Sequence, residues 1–279
     1  MKNIYTTNKE EMVCNCPIWK NQKIDPKFRT CKHLSNNELL NPPKLTLFSN
    51  NLKNIDKINH WLWSEKYDGV RAYWNGSELL SRGGIKINTP FNLPKDIKLD
   101  GELWCGYGKS SKVKQCLYIK QDHDLWNNIE YMVFDIDESN IDFNTRYNML
   151  KNIPKEKYDI NVVNYSKVIS KRNLKYNLSE IINKCGEGIV CRNPNAFYRS
   201  GRSINTGIKM KEILYGRATL TDNKFIELDK NGLKTNITFK IGYKNKFSLK
   251  EGDTVEFRYN NRTSRGKPKY PVLCKNMNT

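Results

Sequence analysis

The sequence KYDGVRAYWNG, from Lys66 to Gly76, is the stretch that decides the fold. Its residues from Gly69 to Trp74 are rich in β-branched and aromatic side chains, which favour a strand. They run into Asn75-Gly76, the strongest short signal for a tight hairpin turn. A second apolar run, from Glu78 to Ser81, follows the turn. The pattern therefore predicts a β-hairpin at this point of the chain.

Strand signals continue along the rest of the chain, with few helical patterns between them. Tyr131 to Ile136 is an apolar run typical of a buried strand, and the best helix candidates are residues 140–151 and 178–184. Beyond Ile213 the chain has strand patterns at residues 218–221, 224–228, 237–241 and 254–259. About five short strands in a region of this size are typical of a small OB-type barrel.

Asn41-Pro42-Pro43 marks a break, because prolines end a preceding regular element. We therefore divide the chain into an amino-terminal extension (1–43), a domain of antiparallel sheets and helices (44–212) and an all-β barrel domain (213–279). The predicted fold class is α+β.

Composition limits the classes of protein that this chain can belong to. It has 279 residues, of which 38% are hydrophobic, so it can bury a core and is not a disordered chain. Mean hydropathy is −0.75, and no apolar run reaches the length of a membrane span. The amino terminus lacks the apolar segment of a secretory signal, so we expect an intracellular protein, in the nucleus or the cytoplasm.

The charge balance indicates a polyanionic partner such as a nucleic acid. Forty-eight basic and 29 acidic residues give a formal net charge of +19. The excess is densest in residues 209–279, where 16 basic residues face 7 acidic ones.

Five short motifs occur in one order along the chain. They are Lys66-Tyr67-Asp68-Gly69-Val70-Arg71, Leu99-Asp100-Gly101-Glu102-Leu103, Phe134-Asp135, Glu187-Gly188-Ile189-Val190 and Ile208-Lys209-Met210-Lys211. Each motif alone has an ordinary explanation as a solvated lysine, a turn, a core aromatic residue or an exposed strand face. If all of these ordinary explanations applied, the occurrence of the five motifs in this order would require five independent coincidences.

The residue types in these motifs suit phosphoryl chemistry. A lysine amine is a nucleophile only when it is unprotonated, and a free pKa of about 10.4 leaves fewer than about one in a thousand in that form at neutral pH. If Lys66 is such a nucleophile, as the resemblance described next implies, a neighbouring cation or a bound metal must lower its pKa. Magnesium prefers carboxylates, water and phosphate oxygens, and the motifs supply the carboxylates. Lys209 and Lys211 alternate, so on a strand they point the same way.

The ordered motifs resemble the covalent nucleotidyltransferase superfamily of ATP-dependent DNA ligases, RNA ligases and mRNA capping enzymes, over about residues 61–279. The likeness is strongest to the minimal ATP-dependent DNA ligases, through the stretches 64–74, 99–104 and Gly201-Arg202-Ser203. This resemblance implies an ATP-grasp-like nucleotidyltransferase domain followed by an OB-fold domain. It also implies a monomer that seals 3′-OH/5′-phosphate nicks in double-stranded DNA, in repair or replication, with ATP and Mg²⁺ or Mn²⁺.

The resemblance further implies roles for individual residues. Lys66 is the expected nucleophile that forms lysyl-AMP, and Phe134 is the expected platform for the adenine ring. The other assignments are Asp68 and Glu102 for the ribose and the metal, Glu187 for a divalent ion, Arg71 for orienting the nucleotide, Lys209 and Lys211 for the α-phosphate, Arg82 for the 5′-phosphate of the nick and Arg202 for the nucleic acid. Salt bridging would explain Arg199 and Arg202 equally well.

The chain departs from the family pattern near its carboxyl end. Larger ligases and capping enzymes end with a basic motif that orients the pyrophosphate leaving group, and the stretch from Arg265 to Pro271 matches that motif only loosely. Assigning this work to Arg265, Lys267 or Lys269 is therefore doubtful.

Other functions remain open on the sequence alone. An RNA ligase or a GTP-using capping enzyme of the same superfamily would carry the same motifs. A non-catalytic nucleic-acid-binding protein would account for the charge and the barrel but not for the carboxylates Asp68, Asp100, Glu102 and Glu187.

The amino-terminal extension contains a possible zinc site. Cys14, Cys16, Cys31 and His33 form a C-x-C-x14-C-x-H arrangement, which resembles the SWIM zinc finger. Two close pairs of thiolate and imidazole ligands can close a tetrahedral zinc site and supply folding energy to a segment without a core. The alternative is three reduced cysteines and a surface histidine in a tail.

Overall fold

The structure is a computed structural model and describes residues 7–8, 13–15, 20, 42–49, 58–115, 124–241, 248–263 and 265–278. Cys16, Cys31 and His33 of the predicted zinc finger lie outside the described residues. Cys14 is buried and ends a two-residue strand.

Strands dominate the described part of the chain. Up to the end of the first 212 residues they are β1 (Thr7–Asn8), β2 (Val13–Cys14), β3 (Thr46–Ser49), β4 (Leu62–Glu65), β5 (Val70–Trp74), β6 (Leu79–Ser81), β7 (Lys86–Ile87), β8 (Leu99–Trp104), β9 (Glu130–Ile136), β10 (Asn161–Val162), β11 (Ser166–Lys167), β12 (Ile189–Arg192) and β13 (Gly201–Met210). Beyond them come β14 (Leu214–Thr221), β15 (Lys224–Leu228), β16 (Lys234–Phe239), β17 (Thr254–Tyr259), β18 (Asn261–Arg262), β19 (Pro268–Lys269) and β20 (Val272–Asn276). The helices are α1 (Ser110–Val113), α2 (Phe143–Lys151) and α3 (Lys171–Asn183), with a 3₁₀ helix at Asp124–Asn128.

The predicted hairpin is confirmed as β5 and β6. The two strands pair antiparallel, with Trp74 opposite Leu79. The side chain of Asn75 accepts hydrogen bonds from the backbone N–H groups of Ser77 and Glu78, and Gly76 adopts a φ of +101°. Asparagine and glycine therefore form the turn for the reasons that make them a hairpin signal.

Two sheets form the larger part of the molecule. The first has six strands in the order β10-β9-β8-β5-β6-β7, and the second has five in the order β11-β4-β12-β13-β3. Each contains one parallel pair, β10–β9 and β13–β3, so both sheets are mixed, and the expectation of antiparallel sheets holds for their other strand pairs only. Each parallel pair joins strands that are far apart in sequence, as parallel pairing requires. The predicted strand at Tyr131–Ile136 is confirmed as β9.

The two longer helices begin at side-chain caps. Asp142 accepts a hydrogen bond from the backbone N–H of Thr145 at the start of α2, and Ser170 accepts one from Asn173 at the start of α3. The second predicted helix, residues 178–184, starts too late. Leu174, Leu178 and Ile181 form the apolar stripe that packs α3 against the second sheet, and the cap at Ser170 is the signal that the prediction missed.

The last quarter of the chain forms a five-stranded antiparallel sheet in the order β16-β15-β14-β17-β20. Its core contains Phe225, Phe239 and Phe257, with Phe239 and Phe257 ring centroids 4.8 Å apart. The sheet is OB-fold-like, but within the described ranges, which exclude residues 242–247, the pairing is open. The predicted strands at 218–221 and 237–241 differ in their bounds from β14 and β16, and β20 was not located from the sequence. The domain boundary at residue 212 stays a prediction.

Buried carboxylates connect the elements of the two larger sheets. Asp135 on β9 accepts hydrogen bonds from Arg146 on α2 and from Arg192 on β12, so it joins the first sheet to the second. Asp100 on β8 accepts hydrogen bonds from Arg71 on β5 and from the Tyr198 hydroxyl. Both aspartates are almost completely buried. Paired burial of this kind is stable only while every charge keeps its partner.

In the part of the chain that the structure describes, no helix has the length and apolar character to cross a membrane.

Removing the carboxylate of Asp135 should destabilise the part of the molecule that the two larger sheets form. In Asp135→Ala the two buried guanidinium groups lose their shared anion, and we expect the free energy of unfolding to fall by about 3–5 kcal/mol. Urea denaturation measures this change. Glu78→Ala is the matched control, because Glu78 pairs with Lys86 at the surface and should cost less than about 1 kcal/mol. Equal losses in the two variants would contradict the inter-sheet role of Asp135.

Candidate active site

A pocket lies between the first and second sheets. Together with its open mouth it contains about 450 Å³ of empty space. Arg71, Glu102 and Phe134 reach it from β5, β8 and β9 of the first sheet, and the second sheet contributes residues of β3, β4 and β12. The residues that line it are Phe48, Ser64, Glu65, Lys66, Tyr67, Arg71, Glu102, Phe134, Tyr165, Val190 and Arg192. Four of the predicted site residues are therefore brought together in one cavity.

Lys66 follows the last residue of β4, and its backbone is fixed beside the motif that contains Glu187. Its N–H donates a hydrogen bond to the carbonyl oxygen of Gly188 at 2.8 Å. Its Nζ donates to Oε2 of Glu187, while Nζ of Lys211 donates to Oε1 of the same carboxylate. Glu187 thus holds two ammonium groups, one on each of its oxygens.

The glycines on both sides of Glu187 are required by close packing. A Cβ on Gly188 would lie 2.2 Å from the carbonyl oxygen of Met210, and the residue adopts a φ of +145°. A Cβ on Gly186 would lie 2.4 Å from Cγ2 of Ile181 on α3. Because no other residue fits at either position, the backbone carries Glu187 close to β13 and to Lys66.

The electrostatic surroundings of Lys66 differ from the expectation. Burial lowers the pKa of Lys66, but attraction to Glu187 and Glu102 outweighs burial, and the net effect raises the pKa above its ordinary value. Of the two predicted causes of a lowered pKa, a neighbouring cation does not dominate in the ligand-free protein, because the groups closest to the amine are carboxylates, and a bound metal stays a prediction. The amine is held as an ammonium until a ligand changes this balance.

Glu102 lies on the opposite wall of the pocket, on β8. One of its oxygens accepts a hydrogen bond from the backbone N–H of Gly69 at 3.2 Å. Burial raises the pKa of Glu102 to about 7, and repulsion from Glu187 adds to the effect, while Lys66 and Arg71 oppose it. Two carboxylates that repel each other fit a divalent cation, which would relieve the repulsion.

The described ranges contain no cluster of three or more His, Cys, Asp or Glu side chains that could hold a metal ion by itself. A magnesium ion at Glu102 and Glu187 would therefore need water and phosphate oxygens to complete its coordination, as magnesium commonly does.

The guanidinium groups of Arg71 and Arg192 both lie against the ring of Phe134. Their guanidinium carbons lie 5.1 and 5.0 Å from its centroid. Arg71 is anchored by Asp100 and also donates to the carbonyl oxygen of Thr46 at 3.0 Å. The predicted base platform therefore lies in the pocket wall, in contact with two fixed cations.

Lys209 and Lys211 do not share one strand as predicted. Lys209 lies on β13, opposite Val190 of β12, whereas β13 ends at Met210 and Lys211 lies beyond it. Burial and the nearby positive charges of Lys66 and Lys211 lower the pKa of Lys209. The three lysines are therefore close enough to influence one another, although Lys211 is held there by Glu187 and not by strand pairing.

Asp68 is paired with the carboxyl-terminal part of the chain. Lys269, on the short hairpin of β18 and β19, donates a hydrogen bond from Nζ to Oδ2 of Asp68 at 2.7 Å. Burial raises the pKa of Asp68, but the hydrogen bond and the charge of Lys269 outweigh it, so that the pKa is lowered. Lys269 is thus the member of the doubtful basic stretch that contacts a motif residue.

Two predicted nucleic-acid ligands lie outside the pocket. Arg82 is exposed in the turn between β6 and β7, and Arg202 is exposed on β13. Neither lines the cavity, which is compatible with contacts to a large ligand at its mouth.

Sequence reasoning missed Phe48 and Arg192 as pocket residues. Arg192 follows Val190 by two positions on β12, so strand alternation would have placed it on the same face. Phe48 on β3 had no comparable signal, because its place depends on the parallel pairing of β3 with β13.

Comparison with known proteins adds independent information on relationship. The family model of the ATP dependent DNA ligase domain matches residues 44–211. A DNA ligase of Haemophilus influenzae is 29% identical over 238 residues, which cover 78% of this chain and 87% of that protein.

The solved structures that this chain resembles include DNA ligases. A Lig E DNA ligase studied for DNA binding with a minimal scaffold has a TM-score of 0.73 and 26% identity, covering 84% of this chain and 99% of its own. A Chlorella virus DNA ligase-adenylate has a TM-score of 0.51 and 20% identity over 85% of this chain and 98% of its own, which shows a shared fold. Because the family model spans more than half of the chain and includes every motif from Lys66 to Lys211, the chain belongs to the ATP-dependent DNA ligase family.

Proposed function

We propose that this ligase seals 3′-OH/5′-phosphate nicks in duplex DNA as a monomer, through an AMP group carried on Lys66. The amine of Lys66 attacks the α-phosphate of ATP and releases pyrophosphate. The AMP then passes to the 5′-phosphate of the nick. The 3′-hydroxyl attacks that phosphate and expels AMP. The observation that carries the proposal is the position of the Lys66 amine in the pocket beside Glu187 and Glu102.

The residues around Lys66 divide the work of binding and charge balance. Glu187 holds the amine in place, and Lys209 and Lys211 supply positive charge for the phosphate oxygens. Arg71, fixed by Asp100, orients the nucleotide beside Phe134. Preorganised charges of this kind stabilise a phosphoryl transition state without having to move during the reaction.

Glu102 and Glu187 would hold magnesium or manganese, which neutralises phosphate charge and competes with Lys66 for Glu187. Asp68 remains assigned to the ribose and the metal, although Lys269 occupies one of its oxygens in the ligand-free protein.

The partner that suits the surface charge is nicked DNA, with Arg82 and Arg202 assigned to its phosphates. The chain has a formal net charge of +19, and the excess of basic over acidic residues is densest in the last 71 residues. The division into an extension (1–43), a catalytic domain (44–212) and an OB-fold domain (213–279) belongs to the same proposal. An RNA ligase or a capping enzyme differs from it in substrate.

We also propose that Cys14, Cys16, Cys31 and His33 bind one zinc ion in the amino-terminal extension. The support is the ligand spacing in the sequence and the chemistry of thiolate and imidazole.

Replacement of Lys66 should abolish covalent labelling. After incubation with α-labelled ATP and magnesium, the denatured wild-type chain should carry the label and Lys66→Ala should carry none, because the alanine offers no amine. Lys86→Ala, at a surface ion pair, is the control and should label normally. Label on Lys66→Ala would contradict the assignment, and preferential labelling by GTP would favour a capping enzyme.

Affinity for nicked DNA should fall steeply with salt. If about six phosphates are contacted, we expect a loss on the order of 10³-fold between about 50 and 200 mM salt, because bound counterions are released on binding. Fluorescence anisotropy with a nicked duplex measures the slope, and ATP labelling at each salt concentration confirms an intact enzyme. A flat profile, or faster sealing when the nicked strand is RNA, would overturn the DNA assignment.

The purified full chain should contain about one zinc ion, measured by elemental analysis. Cys31→Ser and His33→Ala should lose the metal because each removes a ligand. Cys274→Ser is the matched control and should retain it. A wild-type chain without zinc, after purification in its presence, would remove the finger from the proposal.

A further inference from the structure

We infer that Tyr107 and Glu65 form a positioning pair that fixes the backbone around Lys66 for the adenylylation step. The inference rests on the proposed role of Lys66. Neither residue lies within the five motifs. Glu65 lines the pocket, and Tyr107 does not.

The pair is a single long-range hydrogen bond beside the reactive lysine. The hydroxyl of Tyr107 donates to Oε2 of Glu65 at 3.0 Å. Glu65 is the last residue of β4, and Lys66 follows it directly. Tyr107 lies 42 residues further along the chain, in the loop after β8.

The carboxylate of Glu65 also lies against the segment that carries Glu187. Glu65 pairs in register with Ile189 of β12. Its Oε1 would lie 3.3 Å from a Cβ on Gly186, the residue before Glu187. The Glu65 side chain therefore lies on the open side of Gly186, the residue before Glu187, while the N–H of Lys66 donates a hydrogen bond to the carbonyl oxygen of Gly188, the residue after it.

An aromatic ladder holds the other neighbour of Lys66. The ring of Tyr67 packs edge-to-face on Trp104 with centroids 5.2 Å apart, and Trp104 packs in the same way on Tyr107 at 5.5 Å. Residues 104–107 thus contact both Glu65 and Tyr67. Lys66 lies between Glu65 and Tyr67, which both contact residues 104–107. These contacts restrict the direction in which the Lys66 side chain leaves the backbone.

Burial raises the pKa of Glu65, while the hydrogen bond from Tyr107 and attraction to Lys184 favour its charged form. Oε1 of Glu65 is buried and has no hydrogen-bond partner among the described residues. An unsatisfied buried oxygen is costly, and losing the partner of the other oxygen would leave the carboxylate free to turn toward water. Such a turn would break the link between the loop after β8 and the residue before Lys66, leaving only the backbone pairing to position Lys66.

A misplaced Lys66 amine should slow adenylylation, in which the amine attacks ATP. It should not slow the final step, in which the 3′-hydroxyl closes a nick that already carries AMP. In the first step the new bond joins Nζ of Lys66 to phosphorus, and the bond to pyrophosphate breaks. In nick closure the 3′-oxygen forms the bond to phosphorus and AMP leaves. Only the first step requires Nζ at a defined distance from phosphorus.

The experiment compares the two steps in Tyr107→Phe, which keeps the ring of the ladder and removes only the hydroxyl. At saturating ATP and magnesium, we expect the single-turnover rate of adenylylation to fall about tenfold, the effect of one charge-assisted hydrogen bond. Closure of a nick that already carries AMP on its 5′-phosphate should stay within about twofold of wild type. The ATP dissociation constant and the thermal midpoint should also stay unchanged.

Further variants separate positioning from packing. Glu65→Gln keeps an oxygen that accepts the Tyr107 hydrogen bond and should adenylylate within about threefold of wild type. Glu65→Ala should be as slow as Tyr107→Phe, and the double variant Glu65→Ala/Tyr107→Phe should be no slower, because one interaction is lost in all three. Tyr176→Phe, at an exposed tyrosine on α3, is the matched control and should behave as wild type.

Two outcomes would overturn the inference. One is a Tyr107→Phe variant that adenylylates at the wild-type rate, and the other is equal slowing of adenylylation and of pre-adenylylated nick closure. Both are distinct from failure of the proposed function, in which wild type and Tyr176→Phe themselves take no AMP on Lys66.

Discussion

The carboxylate of Asp135 determines how the two sheets around the pocket are spaced. It lies on β9 and binds Arg146 of α2 and Arg192 of β12, so that one buried anion holds elements from both walls. The guanidinium carbon of Arg192 lies 4.7 Å from the ring centroids of Phe48 and Phe143 and 5.0 Å from that of Phe134. Removing these charges from water is costly, and the mutual pairing together with the surrounding rings offsets the cost. The predicted base platform is therefore placed by electrostatics as much as by apolar packing.

Most charges of the reactive region are paired with one another before any ligand binds. Glu187 is shared by Lys66 and Lys211, Glu102 faces Lys66 and Arg71, and Asp68 is paired with Lys269. Such sharing keeps each buried charge paired in the ligand-free protein. It also means that a polyphosphate enters a site in which Lys66, Lys211 and Lys269 already have anions, so binding must exchange these ion pairs for others, while Lys209 forms no ion pair among the described residues.

Much of this site could be predicted from the sequence, because its residues lie in short motifs at strands and strand ends. Lys66, Arg71, Glu102 and Phe134 were found in this way, and Asn75-Gly76 gave the hairpin that carries Arg71. The pairings between motifs could not be read in advance. Asp135 and Arg192 are 57 residues apart and Asp68 and Lys269 are 201 apart, so their contacts depend on sheet order and on the docking of the last hairpin. The raised pKa of Lys66 followed from the same cause, since it reflects which opposite charges lie nearest in space.

The hairpin of β18 and β19 makes the motif carboxylate of Asp68 depend on the carboxyl-terminal end of the polypeptide. A fragment that stopped at Glu212 would retain all five motifs and yet expose Asp68 without its ammonium counterion, and Gly186 would lose its contact with Asn261. The first 212 residues thus lack the ammonium group that pairs with Asp68 in the full chain. Truncating or exchanging the carboxyl-terminal part of the chain therefore changes the charges in the pocket as well as the surface available to bind a substrate.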